Sequence, residues 1–311
     1  MIVEVEAFAR LHMGLFELGQ HFGRRWGGVG VSIKQPSMRV TVNTEGSEKV
    51  EGVDVEEVER VVTTLSRSFG REFKGGISVD SGIPVHRGFG SRTQLRLALA
   101  TAICKAMNVE CEVHSIAEIL GIGEVSSVGT HLFAYGGFVV QLPRQANRTG
   151  LGSFIRLEFP EDWWFVVAYP VDGRGLDEHE ERRLFAALSP QEPLTCMEIS
   201  HLILGYLLPT LLERDLTGFG ECLSILQRLV GQYFASAQGG VFRMAEAVQL
   251  LRMAGAKGVG QSSWGPAVYG LFGDRLEAEN AVSEVRKHLG DNWNVYATTT
   301  VNHGARVSVR P

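Results

Sequence analysis

Residues 86–107 read HRGFGSRTQLRLALATAICKAM, a glycine-bearing loop that runs directly into an apolar helical stretch from Leu95 to Met107. The short run Ile77-Ser78-Val79 and a turn at Gly82 precede it, so the local order is strand, glycine loop, helix. That order builds anion sites. Glycines let the backbone come close to a ligand, and a helix's first amides and dipole favour negative charge. Gly88 and Gly90 supply the freedom, the Ser91 and Thr93 hydroxyls and the Gln94 amide supply donors, and Arg92 offers a planar fork to phosphate oxygens. A phosphate is expected here. The alternative is an ordinary turn with Ser91 as the N-cap of the helix.

Upstream of this loop the chain reads as a sheet. Val3 to Ala7 alternates, and further strands are expected at Val29 to Ile33 and Met38 to Asn43. Val55, Val58, Val62, Leu65 and Phe69 recur at helical spacing and mark an amphipathic helix. Ser115 with Glu118 reads as a capping box for a short helix ending near Leu120. Gln141 to Gly152 carries Pro143, Arg144, Asn147 and two glycines with no apolar period, which places a boundary between domains at 1–150 and 151–311. Beyond it, Phe154 to Phe159 and Trp164 to Tyr169 read as neighbouring strands. Helices are expected over Cys196 to Leu212, Phe219 to Phe234, Val241 to Ala254 and Leu276 to Leu289, and strands over Ala267 to Phe272, Trp293 to Thr300 and Ala305 to Val309. The whole is an α+β protein of two domains, with no internal repeat.

At 311 residues the chain is long enough for two ordinary cores. No stretch approaches the roughly 18 uninterrupted apolar residues of a membrane span, and MIVEVEAFAR lacks the features of a signal peptide, so a cytoplasmic protein without a membrane partner is expected. Cys104, Cys111, Cys196 and Cys222 show no CxxC spacing, which argues against structural zinc or a disulfide framework. A formal charge of −5 argues against nucleic-acid binding. The long apolar helical faces of the second half serve either a homodimer or packing within one chain.

Three further clusters bear on chemistry. Arg10 and His12, in ARLHMGL, stand at the end of the first strand. There Arg10 suits a carboxylate or phosphate and His12 suits proton transfer or hydrogen-bond donation. Arg24, Arg25 and Lys34 flank the glycines at 27–30 and read either as a positive loop or as a solvated face. Gly258 to Pro266 combines flexible backbone with Gln261, Ser262, Ser263 and Trp264, a mixture suited to a small polar ligand with an aromatic part; a tight turn is the plainer explanation. Finally, Gly121 to Thr130, with Ser126 and Gly129, is dense in small residues, as backbone packed closely on a ligand or on the first glycine loop would be.

Taken in order, ARLHMGL, GFGSRTQLRLALA (88–100), SSVGTHLFAYGGFVV (126–140), FGECLSILQRLVGQYFASAQGG (219–240) and GVGQSSWGPAVYGL (258–271) resemble the β-ribofuranosylaminobenzene 5'-phosphate synthases, a branch of the GHMP kinase superfamily. The resemblance covers nearly the whole chain. It implies a two-domain GHMP-kinase fold, with a ribosomal-protein-like βαβ N-terminal domain, a ferredoxin-like C-terminal domain and the active site between them. The implied reaction joins phosphoribosyl pyrophosphate to 4-hydroxybenzoate or 4-aminobenzoate, with loss of pyrophosphate and carbon dioxide, on the route to tetrahydromethanopterin. The chemistry of that reaction suits Mg²⁺ at the leaving group, Arg10 on the aromatic carboxylate and Trp264 against the ring. An ATP-dependent small-molecule kinase and a non-catalytic paralogue are the alternatives that the same fold supports. Two positions depart from the family. Gln141-Leu142-Pro143 stands where the family carries Asp-Gly-Gly, and Ile122 stands at the place of a family arginine.

Overall fold

The structure, a computed structural model, describes residues 1–45, 48–176 and 178–311. In chain order the first half holds β1 (Ile2–Phe16), β2 (Arg24–Arg25), β3 (Gly27–Asn43), β4 (Val50–Glu51), α1 (Val55–Phe69), β5 (Gly76–Ser81), α2 (Ser91–Ala106), α3 (Val113–Ile119), α4 (Val128–Tyr135), β6 (Phe138–Gln141), β7 (Arg144–Gln145) and β8 (Phe154–Leu157). There follow β9 (Trp164–Pro170), α5 (Glu178–Ala187), α6 (Pro193–Leu202), a π-helical turn (Ile203–Leu207), α7 (Leu208–Leu212), α8 (Leu216–Gln238), α9 (Ala245–Met253), β10 (Gly258–Gln261), β11 (Val268–Phe272), α10 (Arg275–Leu289), β12 (Trp293–Thr299) and β13 (Arg306–Arg310).

The first sheet is built on the antiparallel pair β1 and β3, with β13 on the outer edge of β1, β5 and β4 beside β3, and β6 and β8 continuing from the other end of β3. From Ala7 to Phe16 β1 is buried almost throughout, because α2, α4 and α8 pack against it. Alternation therefore ends at Ala7 although the strand does not, and Arg10 and His12 lie inside it and not at its end. Likewise the two strands expected within 29–43 are one, interrupted by a bulge where Phe8 pairs Ser37 and Ala9 pairs Ile33.

The second sheet, in the order β10-β11-β9-β12, is antiparallel and carries α9 and α10 over a core of Val166, Ala168, Leu251, Val268, Phe272 and Val285. β8 and β9 are not neighbours: β8 pairs β6 in the first sheet and β9 pairs β11 and β12 in the second. With β13 on β1, segments on both sides of residue 150 complete the first sheet. The long helix α8 joins the halves, touching both β1 and β10. Gly220 allows this, since a Cβ there would stand 2.3 Å from the Lys257 carbonyl oxygen.

Local signals set the helix ends. The carboxylates of Asp54, Asp215 and Asp274 cap α1, α8 and α10 by accepting from Glu56 N, Gly218 N and Glu277 N, each worth about 1 kcal/mol. The Ser115–Glu118 box does not form, because α3 begins three residues earlier than it requires, with Glu112 at its N-cap. The run Pro193–Leu212 has the length and mean hydropathy (1.3) of a membrane-crossing helix, yet Glu198 and His201 interrupt it. Cys196, Ile199, Ile203, Leu207 and Leu211 are buried, and the segment packs on α8.

Candidate active site

A cleft of about 300 Å³ opens between the two sheets. Its floor is the loop that enters α2. Gly90, in the left-handed region at φ 75°, takes the N-cap position, so Ser91 is the first helical residue and not the cap. No acidic side chain occupies the first turn, leaving the positive end of α2 to the cleft, which Ser91, Arg92 and Thr93 line. Gly88 is a glycine for a steric reason: at φ 93°, a Cβ would lie 2.4 Å from the carbonyl oxygen of Ser262. Gln94 turns away. It is fully buried, and its Nε2 donates to the Gly129 carbonyl at 3.1 Å, so Gln94 and Gly129 brace α2 against α4 and do not reach a ligand directly.

Arg10 rises beside this loop. Its backbone N–H donates to the Phe89 carbonyl and its Nη1 to the Gly88 carbonyl, while its buried Nε has no hydrogen-bond partner. Burial pulls the guanidinium's pKa down to about 10, partly offset by the Glu181 carboxylate on α5. A cation in this state favours an anion in the cleft.

His12 is buried, and burial together with the neighbouring Arg10 charge holds its pKa well below 6.5. The ring is engaged at both nitrogens: Gly14 N donates to Nδ1 at 3.3 Å, and Nε2 lies 3.0 Å from Ser126 Oγ. Gln141 stands behind Ser126. Its Oε1 accepts from Ser127 N at 2.7 Å and its Nε2 donates to the Trp26 carbonyl, a donor-and-acceptor pair that an ionised carboxylate at this position cannot supply.

The opposite wall is aromatic. Trp264 packs edge-on to Phe234 (4.7 Å between ring centroids) and Phe185 (5.6 Å), and its Nε1 donates to Glu181 Oε1 at 2.9 Å. The segment before it is a strand, β10, where a loop is expected from sequence. Gln261 at its end is fully committed: N to Gln227, Oε1 from Arg243 N, Nε2 to Gln238 and to the Ser263 carbonyl. Ser262 is wholly buried; its Oγ accepts from His12 N at 2.9 Å and donates to the Gly88 carbonyl at 2.6 Å. Ser262 thus holds the junction, Gln261 lines the cleft with its amide committed to the wall, and Ser263 and Trp264 face the cleft beside it.

Sequence reading missed Glu181 and Phe185 on α5, Gln227 and Phe234 on α8, and Arg96 one turn beyond the loop, all of which line the cleft. Phe234 carried a signal as the end of a helical apolar face; α5 is rich in Glu and Arg and carried none. Among the described residues no three His, Cys, Asp or Glu side chains gather into a cation site.

Comparison with known proteins agrees with this geometry. Residues 56–137 match the family described as "GHMP kinases N terminal domain" and 207–291 match "GHMP kinases C terminal". Among solved structures, L. major mevalonate kinase in complex with R-mevalonate superposes with a TM-score of 0.72 at 14% identity, covering 97% of this chain and 96% of that one, a likeness of fold alone. Among curated proteins, the β-ribofuranosylphenol 5'-phosphate synthase of Archaeoglobus fulgidus is 30% identical across 97% of this chain and 98% of its own. That of Methanothermobacter thermautotrophicus is 29% identical across 92% and 94%. The chain therefore belongs to the β-ribofuranosylphenol 5'-phosphate synthase family, on the two-domain fold of the GHMP kinase superfamily.

Proposed function

We propose that this cleft joins the ribosyl carbon of phosphoribosyl pyrophosphate to the ring of 4-hydroxybenzoate, or of 4-aminobenzoate, releasing pyrophosphate and carbon dioxide on the route to methanopterin. The phenol in the relatives' name favours the hydroxy acid, since 4-hydroxybenzoate leaves a phenol once its carboxylate is lost. One observation carries the reading: the incompletely bonded Arg10 guanidinium and the start of α2 face the same small cavity as the Trp264, Phe185 and Phe234 wall. Such a cavity suits a diphosphate and an aromatic acid side by side.

The chemistry suits those groups. As pyrophosphate departs, positive character grows on the ribose carbon and negative charge on the leaving oxygens, which the amides and hydroxyls of Ser91 and Thr93 and the Arg92 guanidinium stabilise. Ring electrons then form the carbon–carbon bond at the carboxylate-bearing carbon, and the bond to the carboxylate returns its pair to the ring as carbon dioxide leaves. No proton is released at that carbon, so the bond exchange needs no general base. His12, neutral and bonded at both nitrogens, is consistent with this. Holding the two reactants in register supplies much of the rate, with Trp264 against the ring and Arg10 on the carboxylate.

Magnesium belongs to this reading as an ion carried by the diphosphate, because the described residues do not form a cation cage of their own. A multiply charged substrate favours a cytoplasmic reaction. A kinase would instead have to activate an acceptor hydroxyl. The carboxylates lining the cleft among the described residues are Glu124 and Glu181, and Glu181 is bonded to Trp264. Isothermal titration with magnesium phosphoribosyl pyrophosphate and, separately, magnesium ATP tests the reading. Binding of the first with 4-hydroxybenzoate joining it supports transfer; binding of ATP alone moves the protein to the kinases, and binding of neither leaves a repurposed fold.

A further inference from the structure

The arrangement around His12 fixes where every proton sits. A backbone N–H only donates, so the contact from Gly14 N makes His12 Nδ1 an acceptor, and the neutral ring carries its proton on Nε2. That proton points at Ser126 Oγ, 3.0 Å away. The same oxygen accepts from Val128 N at 3.4 Å. A hydroxyl has two lone pairs, and both are now used. What remains is its own hydrogen, whose protein acceptor is Gln141 Oε1 at 3.5 Å, the outer limit of a hydrogen bond. Gln141 Oε1 is better satisfied by Ser127 N at 2.7 Å.

The geometry points to Ser126 Oγ as a donor-only contact for an anionic oxygen of the ligand in the cleft, with His12 as the residue that positions it and not as a proton-transfer group. The ligand atom seated against Ser126 is then a phosphate or carboxylate oxygen, and an ammonium or amide N–H is disfavoured there. Gln141 completes the device. With its amide anchored on the Trp26 carbonyl and Ser127 N, it offers the serine hydrogen a weak resting acceptor that an anion displaces. Among the described residues, the charged side chains lining the cleft are Arg10, Arg92, Arg96, Glu124, Glu181 and Arg182, with the titratable His86 and His12 beside them. Of these only Arg10 acts on the imidazole, in the direction that keeps it neutral.

This inference rests on the proposed transfer only for its rate readout, so two of its three tests need no turnover. Nitrogen NMR of histidine-labelled protein between about pH 5 and 8 is expected to show His12 neutral, with its proton on Nε2, throughout; a ring that titrates near 6.5, or one protonated on Nδ1, overturns the assignment. Titration with inorganic pyrophosphate is expected to show affinity about 10- to 100-fold weaker in Ser126→Ala; unchanged affinity overturns the donor role. In the transfer assay, His12→Ala is expected to lose about tenfold in rate, and His12→Gln, whose amide N–H replaces Nε2–H, to recover most of it. A glutamine variant as impaired as a proton-transfer knockout, about 10²- to 10⁴-fold, overturns the positioning role. Absence of transfer in the parent protein, with the first two results as expected, contradicts the proposed function and leaves the donor assignment standing.

Discussion

Ser262 Oγ donates to the Gly88 carbonyl at 2.6 Å across 174 residues of sequence, and the same hydroxyl accepts from His12 N. One buried side chain thereby joins the glycine loop, the central strand and the aromatic wall. Replacing Ser262 by Ala leaves a buried N–H and weakens the hold on a buried carbonyl, with an expected loss of about 1–3 kcal/mol in unfolding free energy. Urea denaturation checks this, and a loss of pyrophosphate affinity should accompany it because the loop is no longer clamped.

Arg10 separates stability from function. Its guanidinium is desolvated enough to bring its pKa to about 10, and its Nε has no partner. Arg10→Met keeps the stem and removes the charge, so the thermal midpoint is expected to stay level or rise while affinity for 4-hydroxybenzoate falls at least tenfold. A clear drop in the midpoint would show that the cation stabilises the fold.

His131 gives the fold an acid-sensitive point. It stacks on Phe154 with centroids 4.0 Å apart, bonds to His114 at 3.1 Å, and burial followed by the His114 charge lowers its pKa from 6.5 to about 4. Between those values the unfolded chain takes up a proton that the folded ring refuses, so stability falls with pH from 6.5 to about 4 and then levels. The full swing is about 3 kcal/mol. Comparing denaturant midpoints of parent and His131→Gln isolates it: their difference should be flat above pH 6.5 and shift towards the variant below.

Trp264 holds α5 over the cleft through its bond to Glu181 and its contact with Phe185, which also meets Trp26 at 5.4 Å. Trp264→Phe keeps a ring in the wall but removes the donor. Faster amide exchange confined to α5, by mass spectrometry, is the expected outcome; an unchanged profile would mean that Phe185 alone keeps it docked.

The glycine loop that opens α2 and lines the cleft was legible because its signals are local: two glycines, two hydroxyls and a guanidinium ahead of an apolar helix. What escaped depends on contacts far away in sequence. Alternation stopped at Ala7 because α2, α4 and α8 bury the rest of β1. The Gly258 to Gln261 strand resembled a loop because its glycines answer the close approach of α8, a Cβ at Gly258 falling 2.7 Å from the Gly220 Cα. Gln141 looked like a lost acid, yet its place between Trp26 and Ser127 calls for an amide. Gln94, Gly129 and Ser262 were singled out as ligand contacts and instead brace the residues that line the cleft, among them Gln261.

The central claim is a carbon–carbon bond made at the expense of a carboxylate, and its most direct test follows the fate of that carboxylate. Purified protein with magnesium, phosphoribosyl pyrophosphate and carboxyl-labelled 4-hydroxybenzoate should release labelled carbon dioxide and pyrophosphate in equal amounts, without ATP. Pyrophosphate released with the label still on the ring, or turnover only when ATP is supplied, would contradict it.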